Sequence, residues 1–401
     1  MARIPGLIAA LLLLPLQALA GNGCFDNVDR RVQQLIANGA APGIAVRIDH
    51  GGRIVHDSQI GRLTPDVADE RPLPPDAIYR IYSMTKPITT AAAMILVEED
   101  RIALEDPISK YLPEFDNMEV QELTGTVRAE RPIRVIDLLR HTSGITYGFF
   151  GFGRVRFAYE AEDVGSSADT NAELVEKIAA LPLEHQPGTV WEYSFSTDVL
   201  GRLIEVVSGQ PLDLFLWERV FAPLGMTDTG FVIPEPQADR IAEPHGSLPD
   251  YTVDRPFKSG GGGLASTMED YHRFTRMIRN GGELDGVRLL RPETVALMRR
   301  DHVFSAGLGK GKYYVPGPGH GFGLGFAVKT EDAFGALAGP PGTIYWGGYA
   351  GTTFWIDPVN DLIVIVMVQT TTERMLVRTA IRQAVYGIFK DDGTPGMNCG
   401  G

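Results

Sequence analysis

The chain has 401 residues, 44% of them hydrophobic and 9% aromatic, enough for a packed core and too long for one minimal domain. Its 46 glycines and 27 prolines are scattered, which excludes a collagen-like or disordered chain. A formal net charge of -13 repels phosphate backbones, so nucleic acid is not an expected partner.

The N-terminus reads as a targeting segment. Arg3 gives a short basic start, Leu7 to Ala20 is almost wholly apolar, and Ala18-Leu19-Ala20 has the small-x-small pattern of a cleavage site. The run is short for a membrane span, so residues 1–20 are expected to be a secretory signal peptide, with no span left after its removal. The expected location is secreted, in the periplasm. The two cysteines, Cys24 and Cys399, lie at opposite ends of the mature chain. An oxidising compartment allows a bridge between them; two unpaired thiols is the other reading.

Apolar spacing predicts a helix over 25–37, then strands over 43–49 and 53–59 around the turn at His50-Gly51-Gly52. A short strand over 77–82 follows. From 86 to 99 the period becomes helical, with Ala91-Ala92-Ala93 at its centre. Helices are expected over 135–140, 172–180, 196–208, 212–220, 268–280 and 292–300, separated by long loops. Strands return over 320–329, 343–349, 353–356 and 362–368, and an amphipathic helix over 372–390 closes the chain. Neither strand ladder is a stable sheet alone, so the two ends must meet in one antiparallel sheet. The expected fold class is α/β (α+β): residues 24–84 and 310–401 form a sheet lobe flanked by helices, and residues 85–309 form a helical lobe. The chemistry is expected in the crevice between them.

Several familiar sites are missing: there is no Gly-x-Ser-x-Gly, His-Glu-x-x-His, Cys-x-x-Cys, P-loop or Gly-x-Gly-x-x-Gly. Ser83-Met84-Thr85-Lys86 is the one Ser-x-x-Lys in the chain, set where a strand gives way to a helix. Ser83 and Lys86 are one turn apart and share a face, and a helix start favours negative charge beside the serine oxygen. An N-cap serine beside a surface lysine would give the same four letters. Tyr193 can serve as a base where nearby positive charge stabilises its phenolate, or can be a core aromatic. The glycines of Trp346-Gly347-Gly348 sit on a predicted strand, which implies close approach to the backbone by a substrate or by another strand. Gly260–Gly263 lacks the Lys-Ser/Thr of a phosphate cradle and reads as a flexible approach to the cleft floor. His141, in His141-Thr142-Ser143-Gly144, reads as structural. No metal-ligand spacing is visible, and no cofactor is expected.

Ser83-Met84-Thr85-Lys86, Tyr193-Ser194 and Trp346-Gly347-Gly348, in this order, resemble the three motifs of the serine β-lactamase and penicillin-binding superfamily. Accessory stretches agree, among them Leu138–Gly144, Pro223-Leu224-Gly225-Met226 and Asn280-Gly281-Gly282. Two departures set the branch. Class C β-lactamases carry Tyr-x-Asn, where Phe195 takes the third position here, and Lys-Thr-Gly, where Trp346-Gly347-Gly348 stands. The lost asparagine and lysine would handle the amide and carboxylate of a β-lactam. The Trp-Gly-Gly version resembles the family VIII carboxylesterases, and a Trp346 at the cleft mouth would suit an uncharged ester.

The resemblance implies a serine hydrolase that cleaves short-chain carboxylic esters through an acyl-enzyme on Ser83. Lys86 and Tyr193 move the protons, and which of them is the formal base stays open. The implied oxyanion donors are the backbone N–H groups of Ser83 and Tyr349, and Trp346, Gly347 and Gly348 would meet the substrate. The implied partner is a small-molecule ester. One alternative is a β-lactamase or D,D-peptidase of the same fold, with Arg154 or Arg156 standing in for the lost lysine. Another is a non-catalytic binding protein. Loops 147–157 and 308–319 are expected to set acyl-chain length, and acyl transfer to an alcohol is not separable from hydrolysis by sequence.

Overall fold

The computed structural model of the protein describes Gly23, residues 25–331 and residues 337–388. The expected signal segment, Cys24 and Cys399 lie outside the described residues.

Seven antiparallel strands form the main sheet: β1 (Gly43–His50), β2 (Arg53–Gly61), β3 (His320–Phe322), β4 (Ala327–Lys329), β5 (Ile344–Gly347), β6 (Gly351–Asp357) and β7 (Leu362–Gln369). Their order across the sheet is β3-β4-β5-β6-β7-β1-β2. The two ends of the chain meet at β1 and β7, in a register running from Ile44 opposite Val368 to His50 opposite Leu362. Every residue of β7 is buried, as a strand covered on both faces requires.

Helices supply that cover. Successive strand residues point to opposite faces, and β6 shows it. The Phe354 ring lies 5.3 Å from Tyr271 of helix Met268–Arg279, while the Trp355 ring lies 6.3 Å from Tyr386 of helix Arg374–Tyr386. Met268–Arg279 therefore belongs against the sheet, although it falls inside the 85–309 segment expected to form the helical lobe. It is pinned there by His272, whose Nε2 lies 3.0 Å from Asp49 on β1, and by Arg279, bound to Asp361 through two 2.6 Å hydrogen bonds.

In chain order the helices used below are α1 (Asp26–Ala37), α2 (Thr85–Glu98), α3 (Ser196–Ser208), α4 (Met268–Arg279) and α5 (Arg374–Tyr386). α2 is buried on every side from Thr85 to Leu96, the mark of a central helix rather than an amphipathic surface one.

Four elements differ from expectation. The single strand expected over 320–329 is a hairpin, β3 and β4, because Gly325 turns with a φ of 88° against Thr90. The helix expected over 212–220 is α-helical only for Leu212–Leu216 and continues as a π turn over Trp217–Phe221. A helix at Arg154–Ala161 and a hairpin of Glu119–Glu122 with Gly125–Arg128 stand where only loops were expected. Among the described residues, no helix is long and apolar enough to cross a membrane.

Candidate active site

Ser83 sits in a single 3-10 turn, Tyr82–Met84, wedged between the short strand Ile78–Arg80 and the start of α2. That strand pairs with Ala265–Thr267, and the Ile81 N–H donates to Leu264 O at 3.0 Å. Tyr82 takes a φ of 44°, a left-handed conformation that costs a non-glycine residue energy and that the surrounding pairings enforce.

Lys86, in the first turn of α2 just after Thr85, is 0% exposed. Its Nζ reaches Gly261 O at 2.7 Å, the Tyr147 hydroxyl at 3.0 Å and Ser83 Oγ at 3.4 Å. A charged lysine has three donors for these three oxygens; a neutral one has two donors and a lone pair that can accept the serine proton. Nζ also lies 4.6 Å from the centre of the Tyr193 ring, where a cation is attracted by the π face.

Tyr193 precedes α3 and is nearly buried. Its hydroxyl oxygen accepts a hydrogen bond from Trp346 Nε1 at 3.3 Å. Indole nitrogen only donates, so the tyrosine oxygen is the acceptor here and its own proton is left free to point elsewhere. Trp346 is 3% exposed, so the expectation that it stands at the cleft mouth is corrected: it lies inside, edge-on to Tyr193 with ring centres 5.4 Å apart.

The two glycines after it are also explained differently. The space a side chain would need at Gly347 is filled by the Arg378 guanidinium, whose Cζ is 2.6 Å from the Cβ position. At Gly348 a Cβ would collide with Ile81 O and Thr352 Oγ1. The close approach is therefore made by a side chain of α5, by the backbone leading to Ser83 and by Thr352 of the paired strand β6. The Gly348–Ile81 contact seats the turn carrying Tyr349 against the turn carrying Ser83, and the Tyr82 and Tyr349 rings meet edge-on at 5.6 Å. The Tyr349 N–H makes no hydrogen bond to the described residues, and its side chain is 54% exposed.

Tyr147 and Asp198 complete the surroundings of Lys86, and sequence reasoning singled out neither. Burial, with the charges of Asp198 and Tyr193 added, pushes the Tyr147 phenol well above its ordinary pKa and keeps it neutral. Asp198 is buried in the first turn of α3; its Oδ1 accepts from the Gly261 N–H at 3.0 Å and from Ser259 Oγ at 2.5 Å. Burial raises its carboxyl pKa, and the Lys86 charge pulls it back. A Cβ at Gly261 would collide with Asp198, so the glycine run is a packed wall of the cleft and not a flexible approach. Nothing in the sequence marks Asp198 among fifty acidic residues.

His141 donates or accepts at 3.1 Å with Ser194 Oγ, and burial plus the Lys86 charge hold its pKa well below the ordinary value, as fits a structural neutral imidazole. Arg156 is committed to a buried ion pair with Glu192 at 2.6 Å, and neither it nor Arg154 lines the cleft, which removes both as stand-ins for the missing lysine. The cleft has a volume of about 1330 Å³. Ser83, Tyr147, Tyr193 and Trp346–Tyr349 line it, with Phe149, Phe150 and residues 315–318 from the two loops expected to set chain length. Among the described residues, no cluster of three His, Cys, Asp or Glu could hold a metal ion.

The β-lactamase family profile matches residues 28–386, and with it the whole described sheet and the site. The chain belongs to the β-lactamase family. Within it, this β-lactamase-family hydrolase stands beside the family VIII esterase-like members. It is 36% identical to Protein Rv1367c of Mycobacterium tuberculosis over 367 residues, 86% of this chain and 90% of that one. It is 33% identical to Esterase EstB of Burkholderia gladioli over 368 residues, 82% of this chain and 88% of that one. Among solved structures, EstCE1, described as a hydrolase with promiscuous acyltransferase activity, superposes with a TM-score of 0.78 at 29% identity, covering 91% of this chain and 99% of the other.

Proposed function

We propose that the protein is a serine carboxylesterase that cleaves short-acyl esters through an acyl-enzyme on Ser83. The observation that carries this reading is the linked set of contacts from Ser83 Oγ to Lys86 Nζ, to the Tyr193 ring face, and from Trp346 Nε1 to the Tyr193 oxygen. Ser83 Oγ attacks the ester carbonyl while its proton passes to the Lys86–Tyr193 pair. The backbone N–H groups of Ser83 and Tyr349 hold the oxyanion. The tetrahedral intermediate collapses by breaking the bond to the alcohol oxygen, which takes that proton. Water then attacks the acyl-enzyme and gives a proton to the same pair; the bond from the acyl carbon to Ser83 Oγ breaks, Oγ takes that proton back, and the acid leaves.

The esterase name of EstB supports ester over β-lactam, and so does the replacement of the motif's lysine by a buried tryptophan. A cleft of about 1330 Å³ exceeds the usual 300–1,000 Å³ of small-molecule sites, and a short acyl group fills little of it. The remaining room favours a bulky alcohol portion. The same room favours a second reading, acyl transfer to an alcohol in place of water, in line with the description of EstCE1. We also propose export to the periplasm with loss of residues 1–20, which N-terminal sequencing of the exported protein tests.

The deciding experiment compares p-nitrophenyl acetate, butyrate and octanoate with nitrocefin, using the mature protein and Ser83→Ala. Ester turnover that vanishes in Ser83→Ala, with little nitrocefin cleavage, is expected. Dominant nitrocefin cleavage would move the protein to the β-lactamase reading.

A further inference from the structure

Arg378 lies on α5; its guanidinium fills the side-chain space at Gly347 and lines the cleft beside Gly347 and Gly348. Its Nη2 donates to Gly348 O and, at 3.0 Å, to Thr352 O, while its Nε donates to Gly351 O at 3.2 Å. Three carbonyls of one five-residue turn are thus held by one planar fork. Among the described residues it makes no ion pair with a carboxylate; its remaining contact is Met375 Sδ at 3.9 Å. Burial, and then the neighbouring Arg374, lower its pKa to about 10, so it is still charged at neutral pH. The fork reaches the turn only because residue 347 has no side chain.

The chemistry of the first of these bonds matters most. The Gly348 carbonyl and the Tyr349 N–H belong to the same peptide unit, which is planar and trans. A charged donor on the carbonyl oxygen draws electron density from the amide nitrogen and makes the N–H on the opposite side a stronger donor. The same bond fixes the direction in which that N–H points. The two further bonds stop the turn from rotating about its ends.

We propose that Arg378 is the positioning residue of the oxyanion site: it fixes and polarises the Gly348–Tyr349 peptide so that the Tyr349 N–H meets the oxyanion formed at Ser83. The inference rests on the acyl-enzyme reading above. The role acts on the oxyanion, so although Arg378 lines the cleft its effect is read in kcat and in boronic acid affinity, not in KM.

The test uses Arg378→Met and Arg378→Lys in the mature protein, with melting temperatures measured alongside. Steady-state turnover of p-nitrophenyl butyrate is paired with inhibition by phenylboronic acid, which adds to the serine as a tetrahedral adduct. For Arg378→Met, kcat is expected to fall roughly 10- to 100-fold with KM within about twofold, a smaller loss than removing an oxyanion donor outright. Affinity for phenylboronic acid should fall in the same proportion. Arg378→Lys, which keeps the charge but not the fork, should lie between. A kcat within about twofold of wild type overturns the inference. So does a kcat loss with unchanged boronic acid affinity, which would mark a merely structural residue. If Arg378→Met does not fold, the same two readouts on Arg378→Lys decide. Turnover that survives Ser83→Ala would instead defeat the acyl-enzyme reading; turnover that needs Ser83 but ignores Arg378 defeats this inference alone.

Discussion

Trp346 Nε1 donates to the Tyr193 hydroxyl oxygen at 3.3 Å, across the gap between β5 and the segment that leads into α3. A neutral donor here occupies the motif position that carries a lysine in class C β-lactamases. The tyrosine oxygen keeps a hydrogen-bond donor, while this position no longer presents a cation to a carboxylate.

Trp346→Phe keeps the ring and removes the N–H. A hydrogen bond to a charged oxygen is worth about 1.5–3 kcal/mol, so kcat on p-nitrophenyl butyrate should fall roughly 10- to 150-fold. Stopped-flow or steady-state rates on the folded variant check this. An unchanged kcat would show that the bond does not act on the reacting tyrosine.

The two tyrosines beside Lys86 should separate cleanly. Tyr193→Phe is expected to lower kcat by about 10²–10⁴, the range for a general acid–base group. Tyr147→Phe should cost about tenfold or less, because burial keeps that phenol neutral and its loss leaves Lys86 with Gly261 O and Ser83. Equal losses would undo the assignment of Tyr193.

Gly348→Ala should be poorly tolerated. Its Cβ would collide with the backbone oxygen of Ile81, which cannot swing aside. Overpacking of this kind costs about 1–3 kcal/mol, read as a lower melting temperature, and activity should fall further because the Ser83 and Tyr349 turns are forced apart.

Acid should loosen the contact between α4 and β1. Burial opposes the charge of Asp49, yet the His272 hydrogen bond, with the charges of His272 and Arg279, holds its carboxyl below the ordinary value. A depressed carboxyl stabilises the fold above its unfolded value of about 4 and loses that contribution as pH falls through the folded value. Chemical denaturation at pH 7 and pH 3 should show a smaller acid-induced loss in Asp49→Asn than in wild type. An identical loss would place the acid sensitivity elsewhere.

Thiol titration of the denatured, non-reduced mature protein tests a Cys24–Cys399 bridge. An absence of reactive thiols supports the bridge, and two reactive thiols support the unpaired reading.

Local pattern alone carried the strands of β1, β2 and β7, the helix after Ser83 and the order of the three motifs. Alternation, helical period and spacing are properties of neighbours in the chain, and neighbours are what a sequence displays. Contacts between distant segments decided the rest. Trp346 was legible as a motif residue but not as an inward donor, because its direction follows from pairing with β6 and packing on Tyr193, 153 residues away. Gly347 announced a close approach, yet only the docking of α5 shows that an arginine makes it. Tyr147 reaches Lys86, and Asp198 reaches the Gly261 peptide that Lys86 also binds, because α2, α3 and the Gly260–Gly263 segment converge, and such convergence leaves no periodic trace in the chain. The sequence by itself determined the family and the order of its three motifs; the tertiary structure decided which groups surround them, since burial and long-range hydrogen bonds exist only once the core has closed.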